Sequence, residues 1–183
     1  KHPEKSFVVS AYEYDVPIYI STIKDSSLAL NLAVHRLENK KYDLDFVREI
    51  IEQAAIVYDS KKSAILELGG GVPKNTAQQT GPLLDQILRR NDGGQNYIIQ
   101  ITDARPDTGG LSGATLQEGK SWGKIQDSHE GIVTVYADAT IVFPILALYV
   151  LSNQKSRKPK RLYKRIGEMY DKLSDDYFKN PTK

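Results

Sequence analysis

Apolar positions along this chain recur in two rhythms. Leu44, Val47, Ile51, Ala54 and Ala55 repeat at three and four, which predicts a helix over residues 43–58 with Asp43 able to cap it. Residues 26–37 show the same spacing, with Ser26 or Ser27 placed to cap. Short β-rich runs bounded by polar residues predict strands at 7–10, 17–21, 63–68, 97–101 and 132–136. Further helices are expected over 76–90, stopped by Asn91-Asp92-Gly93-Gly94, and over 115–122. The apolar stretch 139–151 reads as a buried helix, and 161–178 as a charged, amphipathic one.

Strands alternate with helices from end to end. That order predicts an α/β fold, a Rossmann-like parallel sheet with helices on both faces. Such sheets bind ligands beyond the carboxyl ends of their strands. Here those ends carry Asp25, the segment Gly69 to Asn75, the loop Asp103 to Ala114, and Asp138-Ala139. Glycines, small residues and carboxylates at four strand ends predict one shared site.

Composition narrows the class. With 183 residues the chain can bury one real core. Its 40% hydrophobic and 26% charged residues are ordinary for a globular protein. A net charge of +2 gives no broad basic surface, and no aromatic platform accompanies the basic run at 155–165, so no nucleic-acid partner is expected. There is no cysteine, which removes disulfides and thiolate chemistry and fits a cytoplasmic location. The polar lead Lys1-His2-Pro3-Glu4-Lys5 is not a secretory signal, and the run 139–151 is too short to span a bilayer. His2, His35 and His129 share no metal-ligand spacing, and no metal is expected.

The chemistry concentrates in Ser121-Trp122-Gly123-Lys124, which holds the only tryptophan. It follows a glycine-rich loop, Gly109-Gly110-Leu111-Ser112-Gly113-Ala114. A lysine between an aromatic plate and such a loop can lose water, favour its neutral amine and form Schiff bases. A surface lysine beside a core tryptophan is the plainer alternative. Glu118, Asp107 and Asp103 lie before Lys124, where carboxylates and an aromatic face suit a cationic amine. Gly69-Gly70-Gly71 leaves bare backbone ahead of a helix, able to admit a phosphate or ribose or simply to turn the chain. Asp25 and Asp138 each read as a helix cap or as a ribose-binding carboxylate.

Taken in order, these segments resemble the deoxyhypusine synthase family over most of the chain. The resemblance is carried by Asp25-Ser26-Ser27-Leu28, Leu68-Gly69-Gly70-Gly71-Val72-Pro73-Lys74-Asn75, Ser112-Gly113-Ala114, Glu118, Ser121-Trp122-Gly123-Lys124 and Val135-Tyr136-Ala137-Asp138-Ala139-Thr140. It implies an NAD-dependent transferase that moves the 4-aminobutyl group of spermidine through a lysine imine to an acceptor amine. The imine lysine corresponds to Lys124. The implied NAD contacts are Asp25, Gly70, Asp103, Ala104, Asp138 and Ala139. The implied polyamine contacts are Asn75, Gly109, Gly110, Glu118 and Trp122.

The sequence departs from the family pattern at three places. Asn75 stands where the family has a histidine, and Leu30 and Leu111 stand where it has aspartates. The forms Gly-Val-Pro-Lys-Asn and Gly-Gly-Leu-Ser-Gly-Ala are similar to the bacterial branch, in which a free diamine such as putrescine can replace a protein lysine as acceptor. The resemblance also implies that residues 1–183 are the C-terminal portion of one NAD-binding domain, with the N-terminal half outside this chain. A homo- or hetero-oligomer completing the site is then expected. A catalytically silent NAD-binding subunit is the alternative from a different class, and a plain NAD-dependent oxidoreductase finds no tyrosine or histidine acid/base motif to support it.

Overall fold

Three parallel strands organise the chain: β1 (Ala64–Leu68), β2 (Tyr97–Thr102) and β3 (Ile132–Tyr136), in the order β1-β2-β3. The computed structural model describes residues 2–90, 94–126 and 131–181. The helix stop expected at Asn91, Asp92 and Gly93 lies outside the described residues, as do Lys1 of the polar lead and His129.

Parallel neighbours need crossovers, and helices supply them. After β1 come α4 (Val72–Gln78), a short α5 (Thr80–Pro82) and a π-helical turn, Leu83–Ile87. After β2 comes α6 (Leu116–Ser121), and after β3 comes α7 (Ala139–Asn153). Register aligns Leu66 with Ile99 and Ile99 with Val133, so one period-2 set points to each face. The set containing Ile65, Ile98 and Ile132 is covered, packing with Leu116 and Ile125 into one core cluster. On the opposite face Leu66, Leu68, Ile99 and Val133 remain exposed, by 45%, 47%, 37% and 50%. The described residues thus form a Rossmann-like α/β layer with one apolar sheet face largely bare.

A second core joins α3 (Phe46–Tyr58) to α8 (Leu162–Lys179) and the π turn, through Ala54, Ala55, Leu84, Met169 and Leu173. Leu162, Ile166, Met169 and Leu173 recur at three and four, the apolar stripe that the sequence showed. Asp59, at the end of α3, pairs with Arg165 and Lys172 of α8. The basic run 155–160 is exposed and irregular, and Arg161, at φ 48°, leads into α8 while its guanidinium meets the Asp15 carboxylate.

Several elements differ from the sequence reading. The strand expected at 7–10 is part of α1 (Phe7–Glu13), whose first turn is capped by the Ser6 hydroxyl accepting from the Val9 amide. Val8 and Val9 carry strand propensity, but no neighbouring strand pairs with them, and context decides such residues. Residues 17–21 form no strand either. The helix α2 (Ser27–Leu37) is capped by Ser26 as anticipated. The next helix starts at Phe46 with Asp45 as its cap, not Asp43, because Asp45 Oδ1 accepts from the Arg48 amide at 2.9 Å. The helix expected at 76–90 begins earlier, at Val72, with Pro73 in its first turn. Pro82 has no amide hydrogen to continue the ladder, and the chain widens into the π turn, where the Leu88 amide reaches the Leu83 carbonyl.

Helix α7 forms as expected, but it is not buried. Ile145 and Leu148 are each 67% exposed, and none of its residues is fully covered. The apolar helix and the apolar sheet face are thus both left open by the described residues.

Candidate active site

The segment from Trp122 to Lys124, directly after α6, is held so firmly that Lys124 has little choice of position. Helix α6 starts at the Thr115 cap and ends at Trp122, and Gly123, at φ +70°, turns the chain as a helix-ending glycine does. The Lys124 amide then donates to the Gly119 carbonyl at 3.0 Å, and its own carbonyl accepts from the Gln95 amide at 3.0 Å. From the other side Gln86 Nε2 donates to the Trp122 carbonyl at 2.9 Å.

So fixed, the Lys124 side chain reaches the start of α4. Its Nζ donates to Asn75 Oδ1 at 2.5 Å and lies 5.9 Å from the Trp122 ring centre. A cavity of about 300 Å³ opens here, its wall including Lys74, Asn75, Leu111, Glu118, Trp122 and Lys124. Trp122 is 66% exposed, so it is a plate on the cavity rim and not a core residue. Burial pushes the Lys124 ammonium down from the usual lysine value. An amine held by one neutral amide oxygen, beside an aromatic face and partly stripped of water, is suited to nucleophilic attack on a carbonyl or imine carbon.

Gly94 makes this pinning testable. A Cβ there would sit 2.5 Å from the Lys124 carbonyl carbon, and the residue has φ +81°. The obstacle is backbone and cannot swing aside. Gly94→Ala is expected to cost about 2–4 kcal/mol, combining overpacking with left-handed strain, and to lower the melting temperature in calorimetry. A melting temperature equal to wild type would show that the Lys124 segment is not held in this way.

The implied cofactor residues stand together at the carboxyl ends of the three strands, except for one. Gly70 follows β1, Asp103 and Ala104 follow β2, and Asp138 and Ala139 follow β3. A Cβ on Gly70 would meet Ser112 Cα at 2.6 Å, so the triple glycine lies directly on the loop after β2. Buried Gln100 joins the same two segments, its amide nitrogen within 3.4 Å of the Gly69 carbonyl and 3.3 Å of the Ser112 carbonyl. Asp138 caps α7: its Oδ1 accepts from the Thr140 amide and hydroxyl, both at 2.7 Å. Those bonds hold its carboxyl below the usual aspartate range.

Asp25 is the exception. It lies exposed in a 3-10 turn, Ile23–Asp25, that packs on α2, and no strand precedes it. Three strand ends, not four, therefore converge. Ser26, not Asp25, caps α2. Gly109 and Gly110, both at positive φ, turn in open space with no atom within 4 Å of an added Cβ, and they do not line the Lys124 cavity. Asp107 of that loop pairs with Arg105. Leu111 does reach the cavity wall, whereas Leu30 sits on α2 and is 70% exposed. His35 bonds the Tyr42 hydroxyl. Among the described residues no three His, Cys, Asp or Glu side chains gather to hold a metal ion, and no helix is long and apolar enough to cross a membrane.

Sequence reasoning missed the polar layer beneath the cavity. Glu67, Lys74, Gln78 and Gln100 are all buried. Glu67 Oε1 accepts from Gln78 Nε2 at 2.5 Å, and Lys74 Nζ donates to the Ala114 carbonyl at 2.9 Å. A signal was available: Glu67 and Gln100 interrupt strands that are otherwise almost wholly apolar, and a polar residue in a buried strand needs a partner.

The family described as deoxyhypusine synthase matches residues 1–150. A deoxyhypusine synthase-like protein of Nostoc sp. is 46% identical over 175 residues, covering 93% of this chain and 46% of the relative. A protein of Methanosarcina acetivorans named probable deoxyhypusine synthase 2 is 42% identical over 144 residues, covering 79% of this chain and 41% of the relative. One of the same name from Archaeoglobus fulgidus is 40% identical over 158 residues, 84% of this chain and 50% of the relative. The chain thus spans about half the length of the curated relatives it matches, and the matched half contains the triple glycine, the Trp122 plate and Lys124. With the family match extending over most of its residues, this chain belongs to the deoxyhypusine synthase family.

Proposed function

We propose that this chain carries the catalytic lysine of an NAD-dependent aminobutyl transferase of polyamine metabolism. The observation that carries this reading is the half-buried Lys124 amine, hydrogen-bonded to Asn75 and set against Trp122 in one cavity. In this reading Lys124 attacks the imine carbon of the oxidised polyamine, the leaving diamine departs with its nitrogen, and the butyl imine stays on Nζ. An acceptor amine then displaces Lys124 by the same exchange. Glu118 and the Trp122 face hold the distal ammonium of the polyamine.

The strand ends fit NAD in kind: bare glycine backbone at Gly69 to Gly71, and carboxylates at Asp103 and Asp138. When bound, NAD supplies the hydride acceptor and later donor. Gly70, Asp103, Ala104, Asp138 and Ala139 would hold it, while Asp25, set on the α2 side, is the weakest member of that group. The remaining length of the relatives, in the same polypeptide or a second one, would pack on α7 and the bare sheet face and complete the domain. The location proposed is cytoplasmic.

Leu111 in the cavity wall and Asn75 beside the amine leave Glu118 as the carboxylate on the cavity lining. Specificity is a difference of affinities, and fewer anionic anchors discriminate less between amines. A free diamine such as putrescine is therefore expected to accept the butyl group at least as readily as a protein lysine. The assembled protein, given NAD, labelled spermidine, putrescine and a translation-factor protein together, should yield labelled homospermidine, and nothing when NAD is omitted. Label confined to the protein lysine would overturn the small-amine preference. No transfer to either acceptor would favour a silent NAD-binding subunit.

A further inference from the structure

The resemblance implies a polyamine contact for Asn75, but in this structure its side chain is engaged by the nucleophile itself. Asn75 Oδ1 accepts from Lys124 Nζ at 2.5 Å. Both ends of that bond are anchored. Asn75 sits in α4, where its backbone amide donates to the Gly71 carbonyl at 3.2 Å and its carbonyl accepts from the Gln79 amide at 3.0 Å. The residues beside it are tied as well, Lys74 Nζ to the Ala114 carbonyl and Thr76 Oγ1 to the Val72 carbonyl. Lys124 is pinned through its main chain to Gly119 and Gln95. A lysine side chain has several free rotors, and attack needs one near-attack geometry selected from them. Between two fixed backbones, the Asn75 bond makes that selection.

We propose that Asn75 is a positioning residue for Lys124: its side-chain oxygen takes one N–H of the amine, fixes the nitrogen on the cavity wall and leaves the lone pair to the substrate. This rests on the reading of Lys124 as the imine-forming amine. A neutral amine carries two hydrogens and one lone pair, and attack on an imine carbon uses the lone pair. A donor at position 75 would occupy that lone pair, whereas a carboxamide oxygen accepts a hydrogen and spares it. A carboxylate would spare it too, but would hold the nitrogen as ammonium. A neutral acceptor avoids both losses. The Trp122 ring, centred 5.9 Å from Nζ, bounds the amine on another side.

The charged side chains near Lys124 come from three elements. Lys74 of α4 and Glu118 of α6 line its cavity, Lys120 follows on α6, and Asp85 of the π turn approaches Gly123. Among the described residues the acceptor that Nζ reaches is Asn75. Burial is what lowers Lys124, and an uncharged partner does nothing to reverse it.

The test reads the Lys124 amine without polyamine or NAD. The protein is pulsed with acetic anhydride from about pH 6 to about pH 11, and acetylation of Lys124 is followed by peptide mass spectrometry against exposed Lys155. In this reaction the amine nitrogen bonds to a carbonyl carbon, acetate leaves and a proton is released. The titration curve yields a midpoint, which reports protonation, and a limiting rate, which reports the reach of the uncharged amine. Asn75→Leu, similar in size but without an acceptor, should lower the limiting rate about tenfold. A residue that only touches polyamine would leave that rate unchanged and raise the KM for spermidine. An unchanged limiting rate in folded Asn75→Leu therefore overturns the proposal. Asn75→Asp restores the oxygen and adds a charge, so it should keep the wild-type limiting rate while raising the midpoint by about one unit or more. If circular dichroism shows that Asn75→Leu does not fold, Asn75→Asp decides: a midpoint that stays or falls, or a limiting rate that drops, overturns the proposal. Because no polyamine is present, a lowered limiting rate in a protein that transfers no aminobutyl group would remove the function and leave the positioning standing.

Discussion

Replacing Lys124 with alanine is expected to abolish borohydride-trapped labelling of the assembled protein by spermidine and NAD, while leaving the fold intact. Lys124 is not among the buried core residues, and among the described residues its Nζ makes one side-chain bond, to Asn75. The backbone bonds that pin the segment use main-chain atoms and survive the substitution. In wild type the labelled adduct should map to Lys124 by peptide mass spectrometry. The rate of trapping should rise with pH through a midpoint below the usual lysine value, since burial favours the uncharged amine and only that form attacks. The loss in Lys124→Ala should be complete within detection, because removing a covalent nucleophile removes the intermediate itself. Label on any other residue, or label surviving in Lys124→Ala, would sink the assignment. Lys124→Arg is a useful companion, since it keeps a cation against Trp122 but offers no neutral amine near pH 7.

Much of the sheet was readable because parallel strands buried on one or both faces leave short apolar runs ended by glycine, as at Leu68-Gly69-Gly70-Gly71. All three strands and helices α2, α6, α7 and α8 fall within a few residues of where the pattern puts them. The N-terminal misreading has a local cause. Phe7, Val8 and Val9 look like a strand, yet a strand exists only with a pairing neighbour, and a serine cap was enough to wind them into α1. The run 17–21 likewise forms no strand, and with it vanished the strand end that Asp25 was read to follow. The Lys124 constellation was legible because Trp122, Gly123 and Lys124 adjoin in sequence, and one glycine turn brings them to the cavity. Its floor was not. Lys74 and Glu67 belong to a strand and the helix after it, and their approach depends on the crossover geometry that follows Gly71. The expected burial of α7 did not hold: its composition is apolar, but none of its residues is buried among the described ones.

That open surface leads to the second large effect. On the proposed function, residues 1–183 alone are not expected to sediment as an active monomer, and joining them to the N-terminal half of the Nostoc relative should yield transferase activity. The reason is the area left bare. Ile141, Ile145, Leu148 and Leu151 of α7 are each at least 65% exposed, beside a sheet face that presents Leu66, Leu68, Ile99 and Val133. Covering one such side chain is worth about 1.5–3 kcal/mol. A carboxylate placed in the same contact without a partner costs several kcal/mol more. Ile145→Asp with Leu148→Asp should therefore weaken docking of the relative's N-terminal half by at least about a hundredfold in analytical ultracentrifugation. The isolated chain should gain solubility from the same change, because its exposed apolar patch is broken. Lys124 acetylation offers a control for folding, since the Lys124 cavity is formed by α4, α6 and their flanking loops and not by α7. An active, stable monomer of residues 1–183, or undiminished docking of the double variant, would mean that α7 and the bare sheet face are not the surface on which the domain is completed.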